Sequence, residues 1–207
     1  MTRPVWLPVV LISLLAAASL AAPPDATAKG RGPARSKVTE IIVHATGGPS
    51  CSGSRVVFSD PGTVQRMKRF FEGSGGVSIH YIVGPDGEVA ASVPEGEVAY
   101  HAIGHNEGSV GIEMINRGDG RDQFPVAQVA ALSTLVDGIR RRHGVPIERI
   151  KRHSDVDTST IQCAGQPVRR KQDPGPAFPW DRFLMSLLLS DQRTADTAAA
   201  KPAARAR

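Results

Sequence analysis

The sequence predicts an α/β domain with a central mixed β-sheet flanked by helices. Short apolar extended runs alternate with longer stretches whose apolar residues recur every three or four positions, the succession expected of intermixed strands and helices. The tetrapeptide Gly84-Pro85-Asp86-Gly87 lies between two such runs and supplies the turn chemistry of a hairpin, so one strand pair at least is antiparallel. Once the apolar N terminus and an alanine-rich tail are set aside, about 150 residues remain, enough for a single domain with its own core.

The chain opens Met1-Thr2-Arg3-Pro4 and continues as an uncharged, mostly apolar run to Ala22. This is the pattern of a secretory signal peptide spanning residues 1–21, with the small residues Ser19 and Ala21 preceding the cut. An uncleaved anchor is the rival reading, since the run is near the lower limit of about 17 residues for a membrane helix. No cysteine lies near the cut, which argues against lipoprotein processing. Residues 22–37, rich in proline and alanine, read as a flexible leader. Residues 38–189 read as the folded domain, and 190–207 as a disordered tail. Export to the periplasm, or to the cell wall or medium, is the expected localisation, with no stable membrane span after signal cleavage.

Within the domain, Thr39 to Ala45 is a buried strand whose run Ile41-Ile42-Val43 ends at His44, just before the break at Gly47-Gly48-Pro49. Thr63 to Glu72 carries Val64, Met67, Phe70 and Phe71 at helical spacing. The segments Ile79 to Val83 and Glu88 to Val93 flank the predicted turn. Ser109 to Asn116 is a further strand, in which Glu113 interrupts Val110, Ile112, Met114 and Ile115. A carboxylate in such a strand is either paired in the core or purposeful. Pro125 to His143 is the longest helical pattern, stopped by Gly144. Ile147 to His153 returns as an extended segment, a polar loop runs to Asp173, and Pro179 to Leu189 forms a terminal helix with Trp180, Phe183, Leu184 and Leu187 inward.

The formal net charge of +5 favours an anionic partner, and for an exported protein the cell wall is a better candidate than nucleic acid. The runs Arg140-Arg141-Arg142 and Arg169-Arg170-Lys171 are weak signals, the first reading as a solvated helix end. Cys51 and Cys163 are the only cysteines. In an oxidising compartment a disulfide between them, two free thiols and metal ligation by one of them all stay open. A monomer is expected.

The strings Ile41-Ile42-Val43-His44-Ala45-Thr46, Ser78-Ile79-His80-Tyr81-Ile82-Val83, Ser109-Val110-Gly111-Ile112-Glu113, His153-Ser154-Asp155 and Lys171 to Trp180 resemble the zinc-dependent N-acetylmuramoyl-L-alanine amidases. This is the amidase-2 family, which shares its fold with the peptidoglycan recognition proteins. The likeness runs in order over residues 38–189. It implies Zn²⁺ bound by His44, His153 and Asp173, with Glu113 as general base and proton carrier and Lys171 facing the oxyanion. Two imidazoles and one carboxylate would leave a zinc ion with residual charge and an open position, as hydrolysis requires. The resemblance also places His101, in Tyr100-His101-Ala102, beside a bound muropeptide. His105 reads as a loop residue, His80 as a packed, hydrogen-bonded side chain, and His143 as a partner of a helix dipole.

Some members carry a catalytic tyrosine where this chain has Ile79, so the proton-transfer role falls on Glu113. The implied activity is hydrolysis of the amide between N-acetylmuramic acid and L-alanine in peptidoglycan or muropeptides. A non-catalytic peptidoglycan receptor and a zinc peptidase cutting within the stem are the alternatives.

Overall fold

The structure, a computed structural model, describes residues 31–200. The expected signal peptide, the start of the leader and residues 201–207 of the tail lie outside the described residues. In chain order the strands are β1 (Arg31–Ala34), β2 (Glu40–Ala45), β3 (Pro49–Ser52), β4 (Arg55–Phe58), β5 (Tyr81–Val83), β6 (Val89–Ala91), β7 (Glu97–Ala99), β8 (Ser109–Met114), β9 (Ile150–Arg152), β10 (Thr160–Cys163) and β11 (Gln166–Arg169). The helices are α1 (Val64–Gly73), α2 (Val126–His143), α3 (His153–Val156) and α4 (Trp180–Ala200). Five strands form the central sheet in the order β6-β5-β8-β2-β9. The inner pairs are parallel and β6 is an antiparallel edge, which makes the sheet mixed as expected.

Side chains alternate across a strand, and this divides β2 and β8 between two environments. Ile41, Val43 and Ala45 join Val110, Ile112 and Met114 in a core closed by Leu132, Val136 and Ile139 of α2 and by Phe183 and Leu187 of α4. Each of the larger side chains in this set, fully buried, contributes about 1.5–3 kcal/mol of transfer free energy. The other face carries Ile42, His44, Gly111 and Glu113, and Val64 and Phe71 of α1 pack near it with Ile79, Ile82 and Ile115. Buried Gln128 of α2 is satisfied by donating to the carbonyls of Val83 and Ile115 at 3.0 and 3.1 Å.

Local signals behave as their chemistry dictates. Thr63 caps α1 by accepting from the Arg66 N–H. Gly144 ends α2 in the left-handed region at φ 68°, where a side chain would be strained. The turn after β5 closes with Gly87 N–H donating to Gly84 O at 3.0 Å.

Three departures from the sequence reading stand out. Part of the expected leader belongs to the folded body: β1 pairs with β7, and the Arg35 guanidinium donates to the carbonyls of Glu95 and Ser109. A strand held by one short edge pairing has no periodicity to betray it. At the other end α4 continues to Ala200, past the expected boundary at residue 189, with residues 192–199 exposed. Alanine's high helix propensity extends it without a buried face. The segments after β2 and α3 are ordered hairpins, β3-β4 and β10-β11.

Those hairpins are joined by a disulfide between Cys51 and Cys163, 112 residues apart in sequence. Of the three states left open for the cysteines, the bonded one is found. A cross-link closing so long a loop restricts the unfolded chain strongly. The double variant Cys51→Ser/Cys163→Ser is expected to lose about 2–4 kcal/mol of stability in urea denaturation, with the far-UV spectrum of the folded protein retained.

Candidate metal centre

Parallel pairing of β2 with β8 sets His44 directly opposite Glu113, on the face turned away from α2 and α4. Both lie toward the carboxyl ends of their strands, where open α/β sheets place their ligand sites. Strand β9 is the other neighbour of β2 and delivers His153 immediately beyond its last residue. The chain then leaves through β10-β11 and returns at Asp173, whose carbonyl accepts from the Ser154 N–H at 3.0 Å. Thus three separate segments bring His44, His153 and Asp173 together, all three buried.

One ligand atom from each of these residues lies within 4.8 Å of the others. His44 Nδ1 is 2.8 Å from His153 Nδ1, and Asp173 Oδ2 is 3.4 and 3.0 Å from those two nitrogens. Ligand atoms around a tetrahedral cation with bonds of about 2.0–2.1 Å stand about 3.3 Å apart, so the spacing fits one after small adjustments. Two neutral imidazoles and an ionised carboxylate also suit a divalent transition-metal ion chemically. Burial holds the His44 imidazole down to about 4, although hydrogen bonding to Asp173 acts the other way. Burial opposes the charge of Asp173, but hydrogen bonding to His153, with His44 close beside it, prevails and keeps its carboxyl well below the ordinary range.

Glu113 has a different environment. Its Oε2 is sealed from solvent and has no hydrogen-bond partner, and among the described residues no salt bridge involves it, so the core-pair reading of this carboxylate finds no support. Burial, reinforced by repulsion from Asp173 and only partly relieved by Lys171, pushes its pKa up to about 8.

A cleft of about 290 Å³ opens beside these residues, lined by Tyr100, His101, Ile103, Asn106, His153 and Lys171 among others. Lys171 is therefore at the cleft wall, two residues before Asp173. His101 lines the cleft as well, and its Nδ1 lies 3.0 Å from His44 Nε2, a contact the sequence reading did not include. His44 stood in the string Ile41-Ile42-Val43-His44-Ala45-Thr46 and His101 in Tyr100-His101-Ala102, and a contact between segments 57 residues apart leaves no mark on linear spacing. His80 packs edge-on behind His101, with ring centroids 5.7 Å apart, while His105 and His143 lie elsewhere. His80 is buried and accepts from Gly111 N–H. His105 pairs with Glu40 at 2.6 Å, and His143 pairs with Glu95 at 2.5 Å rather than acting on its helix terminus alone.

Two histidines and a carboxylate gathered at the carboxyl ends of a mixed sheet's strands make a candidate metal site in an α/β protein, and comparison with known proteins makes the class specific. The sequence model of the amidase-2 family, N-acetylmuramoyl-L-alanine amidase, matches residues 34–176. The chain belongs to this family. It is 28% identical over 160 residues to N-acetylmuramoyl-L-alanine amidase A of Achromobacter lyticus, covering 72% of this chain and 83% of that one. With N-acetylmuramoyl-L-alanine amidase AmiD of Escherichia coli it shares 33% identity over 106 residues, 44% of this chain and only 35% of AmiD. The solved complex of AmiD with anhydro-N-acetylmuramic acid-L-Ala-D-gamma-Glu-L-Lys superposes with a TM-score of 0.57 at 23% identity, covering 76% of this chain and 66% of AmiD. That superposition establishes the likeness of fold.

The raised pKa of Glu113 has a thermodynamic consequence in metal-free protein. Its folded state binds a proton more tightly than the unfolded chain between about pH 4.5 and 8, so this residue's contribution to stability falls as pH rises through that window. Glu113→Gln removes the effect. Urea titrations at pH 5 and pH 8 are expected to show the variant gaining on the wild type at the higher pH, by at least about 1.4 kcal/mol, the worth of one pKa unit.

Proposed function

We propose that this protein is an exported, zinc-dependent N-acetylmuramoyl-L-alanine amidase. It hydrolyses the amide joining the lactyl group of N-acetylmuramic acid to the L-alanine of the stem peptide, in peptidoglycan or in muropeptides. The convergence of His44, His153 and Asp173 beside an open cleft carries this reading. Family membership over residues 34–176 supports the same bond as the target. The substrate-like compound in the AmiD complex contains the same muramic acid to L-alanine linkage.

His44, His153 and Asp173 would hold the zinc. A zinc ion there would supply a Lewis acid that brings the pKa of a water toward neutrality and, through its charge, favours the ionised form of Glu113. Glu113 then accepts a proton from the attacking water and delivers it to the leaving nitrogen, which departs as the amine of L-alanine. Among the described residues no group competes for the Glu113 Oε2. The Lys171 ammonium faces the carbonyl oxygen as negative charge develops there. The products are a lactyl carboxylate on the sugar and a peptide with a free L-alanine amino terminus. Export is supported by the signal-like run at residues 1–21 and by the disulfide, a bond that persists in oxidising compartments. Among the described residues no helix is long and apolar enough to cross a membrane.

Incubation of the zinc-loaded protein with a defined anhydromuropeptide is expected to release a peptide beginning with free L-alanine, identified by mass spectrometry. Chelation should abolish the release. A loaded protein that binds muropeptide and liberates nothing would overturn the catalytic reading in favour of a receptor, and cleavage between two stem residues would identify a peptidase. Glu113→Gln is expected to retain zinc while turnover falls by about two orders of magnitude. Asp173→Ala should instead fail to retain zinc, measured by metal analysis after dialysis.

A further inference from the structure

We propose that His101 is a positioning residue for the metal centre: held by Ser109 and seated on Gly111, its Nδ1 accepts the Nε2–H of His44, leaving the His44 Nδ1 lone pair aimed at the ligand point. The assignment rests on the metal-site reading above for its purpose, but its evidence is a separate chain of hydrogen bonds.

Proton bookkeeping along that chain admits one direction. Ser109 Oγ lies 2.7 Å from the carbonyl oxygen of His105, which can only accept, so the single hydroxyl hydrogen is spent there. The same Oγ stands 3.2 Å from His101 Nε2 and must act as acceptor, which puts the ring hydrogen of His101 on Nε2. A neutral imidazole carries one N–H, so His101 Nδ1 bears a lone pair. The atom facing it at 3.0 Å, His44 Nε2, is therefore the donor. Neutral His44 then has no hydrogen on Nδ1, the atom that meets His153 Nδ1 and Asp173 Oδ2. The two rings meet edge to face at 86°, as a nitrogen-to-nitrogen hydrogen bond in the plane of one ring allows.

The seat of His101 is also built for it. A Cβ at position 111 would stand 2.6 Å from His101 Cγ and Nδ1, so the ring occupies the space that glycine leaves open in β8. The backbone carrying the ring is pinned: the N–H groups of His101 and Ala102 both donate to Asn106 Oδ1, at 2.9 and 2.8 Å, and Tyr100 N–H donates to Ser78 Oγ at 2.8 Å. Metal-binding histidines generally donate their second nitrogen to an oxygen acceptor that fixes ring and tautomer. Here the acceptor is a second histidine, itself oriented by a serine.

The test compares His101→Leu, which cannot accept, with His101→Asn, whose Oδ1 can take the place of Nδ1. Nitrogen-15 NMR of metal-free protein reads the His44 tautomer, and competition with a chromophoric chelator reads zinc affinity. The wild type is expected to show His44 in the Nε2–H form. His101→Leu should mix the tautomers and weaken zinc binding about 10–100-fold, with His101→Asn recovering most of both. Gly111→Ala, which displaces the ring while keeping every donor and acceptor, should behave like His101→Leu. Folding of each variant is checked by circular dichroism, and Ser109→Ala supplies an independent route to the same tautomer change if His101→Leu does not fold. A wild-type His44 protonated on Nδ1 overturns the proposal, as does unchanged zinc affinity in His101→Leu, which would leave His101 a cleft residue alone. A wild type that takes up no zinc would sink the metal reading instead, and the tautomer measured on the same sample still decides the hydrogen-bond chain.

Discussion

Parallel pairing of β2 with β8 sets His44 across from Glu113, and that register, together with the pairing of β2 to β9, places the site. A one-residue slip of β2 would turn His44 into the core beneath α2 and α4 and bring Val43 or Ala45 to the site face opposite Glu113. The register is secured from the opposite side. Ile41, Val43, Ala45, Val110, Ile112 and Met114 are buried against two helices, and exposing that set to water would cost far more than any polar contact in the site returns. An apolar core on one face of the sheet thus holds a chemically demanding arrangement on the other.

The polar arrangement works against stability by itself. Three potential ligands crowd one point, one oxygen of a neighbouring carboxyl group is sealed without a partner, and burial shifts pKa values in directions an isolated fold would not choose. Such groups persist because the surrounding elements leave them no alternative position. The hairpins β3-β4 and β10-β11 contribute through the disulfide, since one follows the His44 strand and the other separates His153 from Asp173. Constraint from the core and constraint from the cross-link therefore meet at the ligands. His101 adds a third, at the level of a single ring nitrogen.

Function of the metal-site kind proposed here needs groups whose protonation is decided in advance. Asp173 is held ionised by its histidine neighbours, while Glu113 is held close to the pH at which a proton can be both taken and returned. These opposite outcomes for two carboxyl groups arise from placement alone: one accepts hydrogen bonds and the other has none on its buried oxygen.

Much of this was legible in the chain. Strand β2, helices α1 and α2, the turn at residues 84–87 and the stop at Gly144 follow from side-chain periodicity and backbone preferences acting over a few residues, and such local physics is written in local sequence. The presence of Glu113 within an apolar strand marked it as unusual before any fold was known. The meeting of His44 with His153, 109 residues apart, the bond between Cys51 and Cys163, the edge pairing of β1 and the contact of His101 with His44 were decided only in three dimensions. Each depends on strand register and on which face of the sheet an atom occupies, and those are fixed when distant apolar surfaces pack together rather than by any short stretch of residues.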